Sequence, residues 1–217
     1  YAKNGNHFKW KMIKNTPRMI EAILKERKMV KRLIKEYNIQ GIISDNRLGV
    51  YSKKVTSVFI THQLNVLTGN TTWITSKLHQ FIIKKYDECW VPDIAETPNL
   101  TGKLGHLENP HFKIKYIGPL SRFHKKVLPR QYVLMVILSG PEPQRGMLEE
   151  KLAKDLLEYN GRVVFIKGKI EAEQVVEERD NIVFYNFMTS EELEITFNES
   201  EIVLCRSGYT TVMDLAQ

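Results

Sequence analysis

Hydrophobic residues in the first part of the chain recur every three or four positions between residues 17 and 37. This spacing predicts an amphipathic helix whose other face carries lysine and arginine. Thr16 offers a hydroxyl for the helix N-cap and Pro17 suits the first turn, so we expect the helix to begin there. The apolar positions of this helix are Ile20, Ile23, Leu24, Val30, Leu33, Ile34 and Tyr37.

Short runs of β-branched and aromatic residues alternate with a second helical pattern in the rest of the first half. Strands are expected at 42–45, 55–60, 89–91 and 114–117, with a helix over 71–86. The apolar stripe of that helix consists of Trp73, Ile74, Leu78, Phe81 and Ile82. Because strands and a helix alternate, this half is predicted to form a parallel sheet.

The second half repeats the alternation more regularly. Strands are predicted at 132–138, 162–166, 182–186 and 201–205, and helices at 146–159, at 190–198 and from about 209 onwards. This order is typical of a doubly wound α/β domain. Since Gly118 and Pro119 interrupt the pattern, we expect a first domain over 1–118, a linker over 119–131 and a second domain over 132–217.

Charge divides the chain at the same place. Residues 1–130 carry 24 lysines and arginines against 9 acidic residues, whereas residues 131–217 carry 8 against 16. A basic domain favours phosphate-bearing partners, namely nucleic acid, anionic lipid or a lipid-linked substrate. A basic surface that serves only solubility is the alternative.

The composition is that of a globular protein, with 42% hydrophobic and 26% charged residues among 217. No apolar run approaches the roughly 20 residues that a membrane-spanning helix requires. The two cysteines, Cys89 and Cys205, have no metal-type spacing and suit a reducing compartment. We therefore expect a cytoplasmic protein.

Ligands of open α/β sheets bind at the carboxyl ends of the strands, so the turns that follow the strands are the candidate sites. After the first strand of the second half, Ser139 and Gly140 allow a ligand to approach the backbone. Pro141 and Pro143 remove N–H donors from the same turn, which makes it a poor dinucleotide fingerprint and disfavours a nicotinamide cofactor.

The turn after residue 205 opens a helix and is rich in small and hydroxyl-bearing residues. Its backbone N–H groups can hold a diphosphate, and an acidic residue further on can accept the hydroxyls of a ribose. The alternative is that the hydroxyls only cap the helix. The turn at Phe187 and Met188, earlier in the chain, can offer backbone groups and an apolar wall to a base. The alternative is that these two residues only belong to the hydrophobic core. The residues of the later turn are Arg206, Ser207, Gly208, Thr210, Thr211 and the acidic Asp214.

Residues 181–215, which read NIVFYNFMTSEELEITFNESEIVLCRSGYTTVMDLA, resemble the carboxyl-terminal domain of GT-B glycosyltransferases of family 28. This family includes bacterial enzymes that transfer N-acetylglucosamine from UDP to a lipid-linked acceptor. The resemblance implies that Phe187 and Met188 contact uracil, and that Asp214 lies at the ribose position, where the family has Glu. It implies a diphosphate turn formed by Ser207, Gly208, Thr210 and Thr211.

The first half resembles the amino-terminal domain of the same enzymes through GIISDNRLGVYSKK at 41–54, VFITHQL at 58–64 and YIGPLSRF at 116–123. An arginine can pair with an acceptor phosphate, and a histidine suits proton transfer near neutral pH, although a histidine after a strand is more often structural. The family's first strand and glycine-rich loop have no match, and no strand follows the last predicted helix, so we expect both domains to be partial. The acceptor-side residues are Asp45, Asn46, Arg47, His62 as the catalytic candidate, and Gln63.

The resemblance implies a GT-B fold of two Rossmann-like domains that face each other across a cleft. It implies that a hexose, N-acetylglucosamine or similar, is transferred with inversion from a UDP-sugar to an acceptor hydroxyl, without a metal. A lipid-linked acceptor is part of this expectation. So is peripheral association with the anionic inner face of a membrane. The alternatives are a UDP-sugar 2-epimerase, for which no suitable carboxylate set is found, and a basic RNA- or membrane-binding module. Nucleic acid is disfavoured because the lysines of helix 17–37 lack aromatic neighbours.

Overall fold

The computed structural model of the protein describes residues 5–66 and 72–216. The chain divides into two compact units, Tyr1–Pro119 and Leu120–Gln217. Each unit is an α/β structure built on its own sheet, and both sheets are dominated by parallel strands. The parallel α/β architecture expected from the alternation of patterns is thus confirmed. None of the helices in the described part of the chain has the length and apolar character needed to cross a membrane.

The first unit contains a four-stranded sheet in which every pairing is parallel. The strands lie in chain order, β1-β2-β3-β4, and each predicted strand is present. The elements are α1 (Gly5–Tyr37), β1 (Gly41–Asp45), β2 (Thr56–Ile60), α2 (Thr72–Ile83), β3 (Glu88–Val91) and β4 (Ile114–Tyr116).

Helix α1 begins earlier than the sequence pattern predicted. It runs from Gly5 through Pro17, so the expectation that Thr16 and Pro17 start the helix was wrong. A proline inside a helix removes one backbone hydrogen bond and its ring crowds the preceding turn, which is why the pattern predicted a helix start at this position. Of the predicted apolar face, Val30 is buried, whereas Leu24 and Tyr37 are exposed.

The core of the first unit lies between the sheet and the chain segments that cover it. Phe59 of β2 is fully buried and its ring centroid lies 4.9 Å from that of Tyr86. Helix α2 faces this core with Ser76 and Ile83, which do not belong to the predicted stripe. Three members of the predicted stripe are exposed to solvent: Trp73, Leu78 and Phe81.

The second unit has a five-stranded sheet with the order β7-β8-β6-β5-β9. All pairings are parallel except that of the edge strand β7, which is antiparallel to β8 and was not predicted. The sequence VEER of β7 lacks the apolar alternation that marks a strand. The elements are β5 (Tyr132–Ile137), α3 (Gln144–Asp155), β6 (Val163–Ile166), β7 (Val176–Arg179), β8 (Ile182–Tyr185), α4 (Ser190–Asn198), β9 (Ser200–Cys205) and α5 (Tyr209–Leu215).

The central strands of this second sheet, β5, β6 and β8, are buried on both faces. Successive residues of β5 point to opposite sides. Leu134 and Val136 belong to the cluster that Leu152 of α3 packs against, whereas Met135 belongs to the cluster on the opposite face, which includes Leu193 of α4. Helices therefore cover the sheet on both sides. This is the layered arrangement of a doubly wound domain.

The basic segment predicted as a linker over 119–131 lies, from Leu120 onwards, in the second unit. Phe123 is buried in the cluster that also contains Leu193. The backbone N–H groups of His124 and Lys126 donate to side chains of α4, at 2.8 Å and 2.7 Å. Extended backbone needs such partners wherever it lies against the protein, and α4 provides acceptors along this path.

Candidate functional site

The strand order of the second sheet reverses at β5. From β5 the chain continues to β6 and β8 on one side, and β9 then returns to pair with β5 on the other side. Such a reversal leaves a crevice at the carboxyl ends of the two strands, where ligands of open α/β sheets bind. The predicted turns after β5 and β9 both lie at this edge, since Ile137 and Cys205 are paired neighbours.

The two turns at the β5/β9 crevice contact each other. Nη1 of Arg206 donates to the carbonyl oxygen of Ser139 at 2.8 Å. Gly140 has a φ of +98°, and a Cβ atom at this position would collide with the Arg206 guanidinium. Glycine is required here both for its backbone conformation and for the close approach of the arginine. Ser139 and Gly140 remain exposed and accessible to a ligand.

The helix that follows β9 begins without a side-chain cap. Gly208 is the N-cap residue of α5 and forms no side-chain hydrogen bond to its first turn. Helix α4 is different, because Thr189 and Glu192 form a complete capping box. The expected alternative for the β9 turn, that its hydroxyl groups only cap the helix, therefore receives no support. Ser207 and Thr210 are exposed beside the turn.

Asp214 projects from α5 towards the segment that precedes β5. Its Oδ1 accepts a hydrogen bond from Oγ of Ser121 at 2.9 Å, and the same hydroxyl oxygen accepts the N–H of Phe123 at 3.0 Å. The backbone N–H of Leu120 lies 3.3 Å from Sδ of Met213. The ribose candidate is thus tied to a segment that the sequence analysis had treated as a linker, and nothing in its composition marked Ser121.

The turn predicted to contact a base follows β8. The N–H of Phe187 donates to Oδ1 of the buried Asn186 at 3.0 Å, and its carbonyl oxygen accepts Nε2 of Gln174, also at 3.0 Å. The N–H of Phe187 is therefore used within the protein, whereas its carbonyl oxygen has a second lone pair for a ligand. Met188 packs against the core cluster that contains Leu193.

A buried arginine fixes the start of α3 beside this edge of the sheet, and the sequence analysis did not identify it. The side chain of Arg145 is 5% exposed and donates to Glu142, to Glu149 at 2.7 Å and to the carbonyl oxygen of Lys167 at 2.8 Å. A buried charge needs such a full set of partners. Arg145 thus connects the chain after β5 with the chain after β6.

In the first unit, the predicted catalytic histidine and its acidic neighbour lie at adjacent strand ends. Asp45 is the last residue of β1 and pairs in register with Ile60 of β2, two residues before His62. Partial burial lowers the pKa of the His62 imidazole below its ordinary value, while the charge of Asp45 acts in the opposite direction. His62 is therefore neutral near pH 7, as a proton acceptor must be.

The other acceptor-side candidates are engaged within the first unit. Nε of Arg47 donates to Oε1 of Glu26 in α1 at 2.8 Å, and Nη2 contacts the same oxygen. Arg47 thus attaches α1 to the loop after β1, a role that the sequence analysis missed. The N–H of Asn46 donates to the carbonyl oxygen of Ile60. The carbonyl oxygen of Gln63 lies 3.0 Å from Nε2 of His79.

A buried carboxylate follows β3, and the sequence analysis did not identify it either. Asp93 is fully buried and accepts backbone N–H groups of Ile94, Leu100 and Thr101 as well as the Thr101 hydroxyl. Burial alone would raise the pKa of the Asp93 carboxyl, but these hydrogen bonds hold it below its ordinary value. Thr101 Oγ1 lies 3.1 Å from Nδ1 of His106. Asp93 therefore organises this loop, with all its partners inside the protein.

Within residues 5–66 and 72–216, no group of three or more His, Cys, Asp or Glu side chains converges as a metal site would. Comparison with known proteins found no matching family model, no matching curated protein and no matching solved structure.

Proposed function

We propose that the protein is a glycosyltransferase that moves a hexose, N-acetylglucosamine or a similar sugar, from a UDP-sugar to an acceptor hydroxyl. The observation that carries this proposal is the reversal of strand order between β5 and β9. Two exposed, glycine-containing turns meet there through the contact of Arg206 with Ser139. A nucleotide bound in this way has its diphosphate against backbone N–H groups and hydroxyls, as phosphate sites require.

Each part of the nucleotide has a candidate partner in the second unit. The diphosphate binds to the turn after β9, where Ser207, Thr210 and Thr211 add hydroxyl donors to the uncapped first turn of α5. Asp214 accepts the ribose hydroxyls, which are donors that a carboxylate binds well. The uracil lies against the turn after β8, where the carbonyl oxygen of Phe187 accepts its N–H.

In the proposed reaction, the oxygen of the acceptor hydroxyl attacks the anomeric carbon from the face opposite to UDP. A new carbon–oxygen bond forms as the bond to the diphosphate breaks, so the configuration of the sugar is inverted. UDP leaves with the bonding electron pair, and the donors around its diphosphate stabilise the added negative charge. The acceptor proton passes to the neutral imidazole of His62, and Asp45 stabilises the imidazolium that forms.

This mechanism assigns the acceptor to the first unit and the donor to the second, as in a GT-B enzyme whose two domains face a common cleft. We propose a lipid-linked acceptor, because the first half of the chain has an excess of 15 positive charges and a lipid-linked acceptor carries phosphate. No metal is included, since the turn donors and Arg206 supply the positive charge that the leaving group requires.

Isothermal titration calorimetry with UDP, UDP-N-acetylglucosamine and ADP tests the donor site. We expect UDP to bind more tightly than ADP, and Asp214→Ala to weaken UDP binding by about 1 to 3 kcal/mol, the range for a hydrogen bond to a charged group. Asp155→Ala is a matched control, because it removes an exposed carboxylate at the last residue of α3, whereas the turn after β5 precedes the first residue of that helix. Equal affinity for UDP and ADP, or an unchanged affinity in Asp214→Ala, would show that the donor site is misplaced.

A further inference from the structure

A long connection joins β3 to β4 in the first unit. Over residues 92–113, all of which the structure describes, the only regular element is a short 3-10 helix at Gly102–Leu104. Connections of this length are uncommon in compact domains, and those that are ordered usually have a function. The buried Asp93 orders this connection by accepting three of its backbone N–H groups and the hydroxyl of Thr101. We refer to residues 92–113 as the β3–β4 loop.

The β3–β4 loop lines a cleft of about 860 Å³ in the first unit. This volume lies within the range of small-molecule sites, which combine a mainly apolar lining with a few polar groups. The loop begins directly after Val91, the last residue of β3. The cleft is therefore formed by chain that leaves the carboxyl end of a parallel strand, which is where ligands of α/β sheets bind. Its lining includes the apolar Ala95, Pro98 and Leu107, the ring of His106, and the charged Lys103 and Glu108.

Contacts within the first unit hold the β3–β4 loop in one shape. Gly105 packs so closely on Thr101 that a Cβ atom at this glycine would collide with the threonine hydroxyl. The hydroxyl of Tyr116 in β4 donates to the carbonyl oxygen of Gly105 at 3.1 Å. The N–H of Asn65, in the chain after β2, donates to the carbonyl oxygen of Leu104 at 2.9 Å. The cleft is thus formed before any ligand arrives, so binding does not have to order the loop.

The His106 ring adds apolar surface to the cleft rather than a free nitrogen. Nδ1 lies 3.0 Å from the carbonyl oxygen of Gly102, and Nε2 lies 3.0 Å from that of Ile94. One face of the ring stacks on Tyr116, with the ring centroids 4.8 Å apart and the planes inclined by 16°. Because both nitrogens face carbonyl oxygens and one face is covered, only carbon surface of His106 remains for a ligand.

Two side chains of opposite charge, Lys103 and Glu108, are exposed and line the same cleft. In the part of the chain that the structure describes, neither side chain forms an ion pair. The ammonium group donates hydrogen bonds and the carboxylate accepts them, so the cleft offers both functions to a ligand. Their charges cancel, so the lining does not favour an anion such as phosphate over a neutral molecule.

We infer that this cleft binds a neutral saccharide ring. The hydroxyl groups of a sugar ring both donate and accept, which matches Lys103 and Glu108, and its C–H faces are apolar, which matches the rest of the lining. A phosphate group would meet the Glu108 carboxylate, and a wholly apolar molecule would cover both charged groups without pairing with them. The inference concerns the β3–β4 loop alone and stands apart from the proposed UDP site, which lies in the second unit.

Saturation-transfer difference NMR on the full chain tests the inference. The ligands are the methyl glycosides of glucose, galactose, mannose and N-acetylglucosamine, and glucose 6-phosphate is the anionic comparison. An excess of UDP is present, so that the proposed nucleotide site does not contribute to the signal. We expect at least one methyl glycoside to bind, and glucose 6-phosphate to bind more weakly than methyl glucoside because its phosphate is repelled by Glu108.

Two variants with matched controls locate the binding. Ala95→Trp fills the cleft with a large side chain and is expected to abolish the signal, whereas Ala172→Trp, at an exposed alanine of the second unit, should leave it unchanged. Glu108→Ala is expected to weaken binding about tenfold or more, the effect of losing a hydrogen bond to a charged group. Glu150→Ala removes an exposed carboxylate of α3 and should have no effect.

All four altered side chains are exposed, and thermal unfolding would verify that each variant is folded. If Ala95→Trp failed to fold, the comparison of Glu108→Ala with Glu150→Ala would decide. The inference is overturned if none of the methyl glycosides binds, or if binding is the same in the cleft variants and in their controls. Tighter binding of glucose 6-phosphate than of methyl glucoside would also overturn it, because the cleft would then be an anion site.

Discussion

Oγ of Ser121 donates a hydrogen bond of 2.9 Å to Oδ1 of Asp214, which joins the segment before β5 to the helix after β9. The same hydroxyl oxygen accepts the N–H of Phe123, so the position of Ser121 is fixed by its own backbone. One carboxylate oxygen of Asp214, Oδ1, is thus fixed by the hydrogen bond from Ser121. The second oxygen is the one that we assign to the ribose.

Replacing Ser121 by alanine is therefore expected to weaken UDP binding by about 1 kcal/mol, the usual contribution of one hydrogen bond. If Ser121 orients Asp214, the variant also loses part of its preference for UDP over 2′-deoxy-UDP, and Ser121→Thr restores it. Calorimetry with both nucleotides measures this preference. A lower melting temperature with an unchanged preference would indicate that Ser121 has a purely structural role.

Replacing Gly140 by alanine is expected to disturb the donor site in addition to straining the backbone. Its φ of +98° disfavours any side chain, and the new Cβ would displace Arg206. Gly118 is a matched control, because it also has a positive φ, of +78°, but has no atoms near the position of a Cβ. We expect both variants to lose about 1 kcal/mol of stability or more. Only Gly140→Ala should weaken UDP binding; an equal effect of Gly118→Ala would contradict this assignment.

The central strands of the second sheet could be predicted from the sequence because they are apolar on both faces, as in VVFI at 163–166. Strand β7 could not, since its residues VEER contain one apolar side chain and lie at an exposed edge. The orientation of α2 was also not predictable from its stripe. Trp73, Lys77 and Phe81 are spaced by four positions and share one face of the helix. The core contacts of α2 are made instead by Ser76 and Ile83.

Within the candidate site, the positions of the turns could be predicted, whereas the partners of their side chains could not. Arg47 and Glu26 are separated by 21 residues and become neighbours only when α1 packs beside β1. The bond between Ser121 and Asp214 spans 93 residues. Sequence spacing carries no information about such contacts, because they depend on how the elements pack.

Replacing Asp93 by asparagine is expected to destabilise the first unit by about 3 kcal/mol. Three backbone N–H groups and the Thr101 hydroxyl point at the carboxylate, and an amide nitrogen in its place leaves buried donors without an acceptor. Asp87→Asn serves as the control, because Asp87 is exposed and accepts the N–H of Ser57, which an amide oxygen can also do. Thermal unfolding compares the two variants. Equal, small losses would show that the buried carboxylate is dispensable.

Histidine burial predicts that the first unit loses stability in mildly acidic solution. Burial lowers the pKa of His79 below its ordinary value of 6.5, and the hydrogen bond to the Gln63 carbonyl oxygen only partly opposes this shift; the pKa of His62 is lowered as well. A histidine with a lowered pKa binds fewer protons in the folded state than in the unfolded state. Its stabilising effect is complete above pH 6.5 and declines as the pH falls towards the folded pKa.

The carboxylates with lowered pKa, such as Asp93, lose their contribution in a separate window, below the ordinary value of 3.8 for this group. A comparison of melting temperatures between about pH 7.5 and about pH 5.5 therefore isolates the histidines. His79→Gln should flatten this dependence, because a glutamine side chain keeps a donor for Gln63 without a titrating charge, whereas His111→Gln on an exposed loop should leave it unchanged. If wild type and His79→Gln lost stability equally over this range, the burial of His79 would not be the cause.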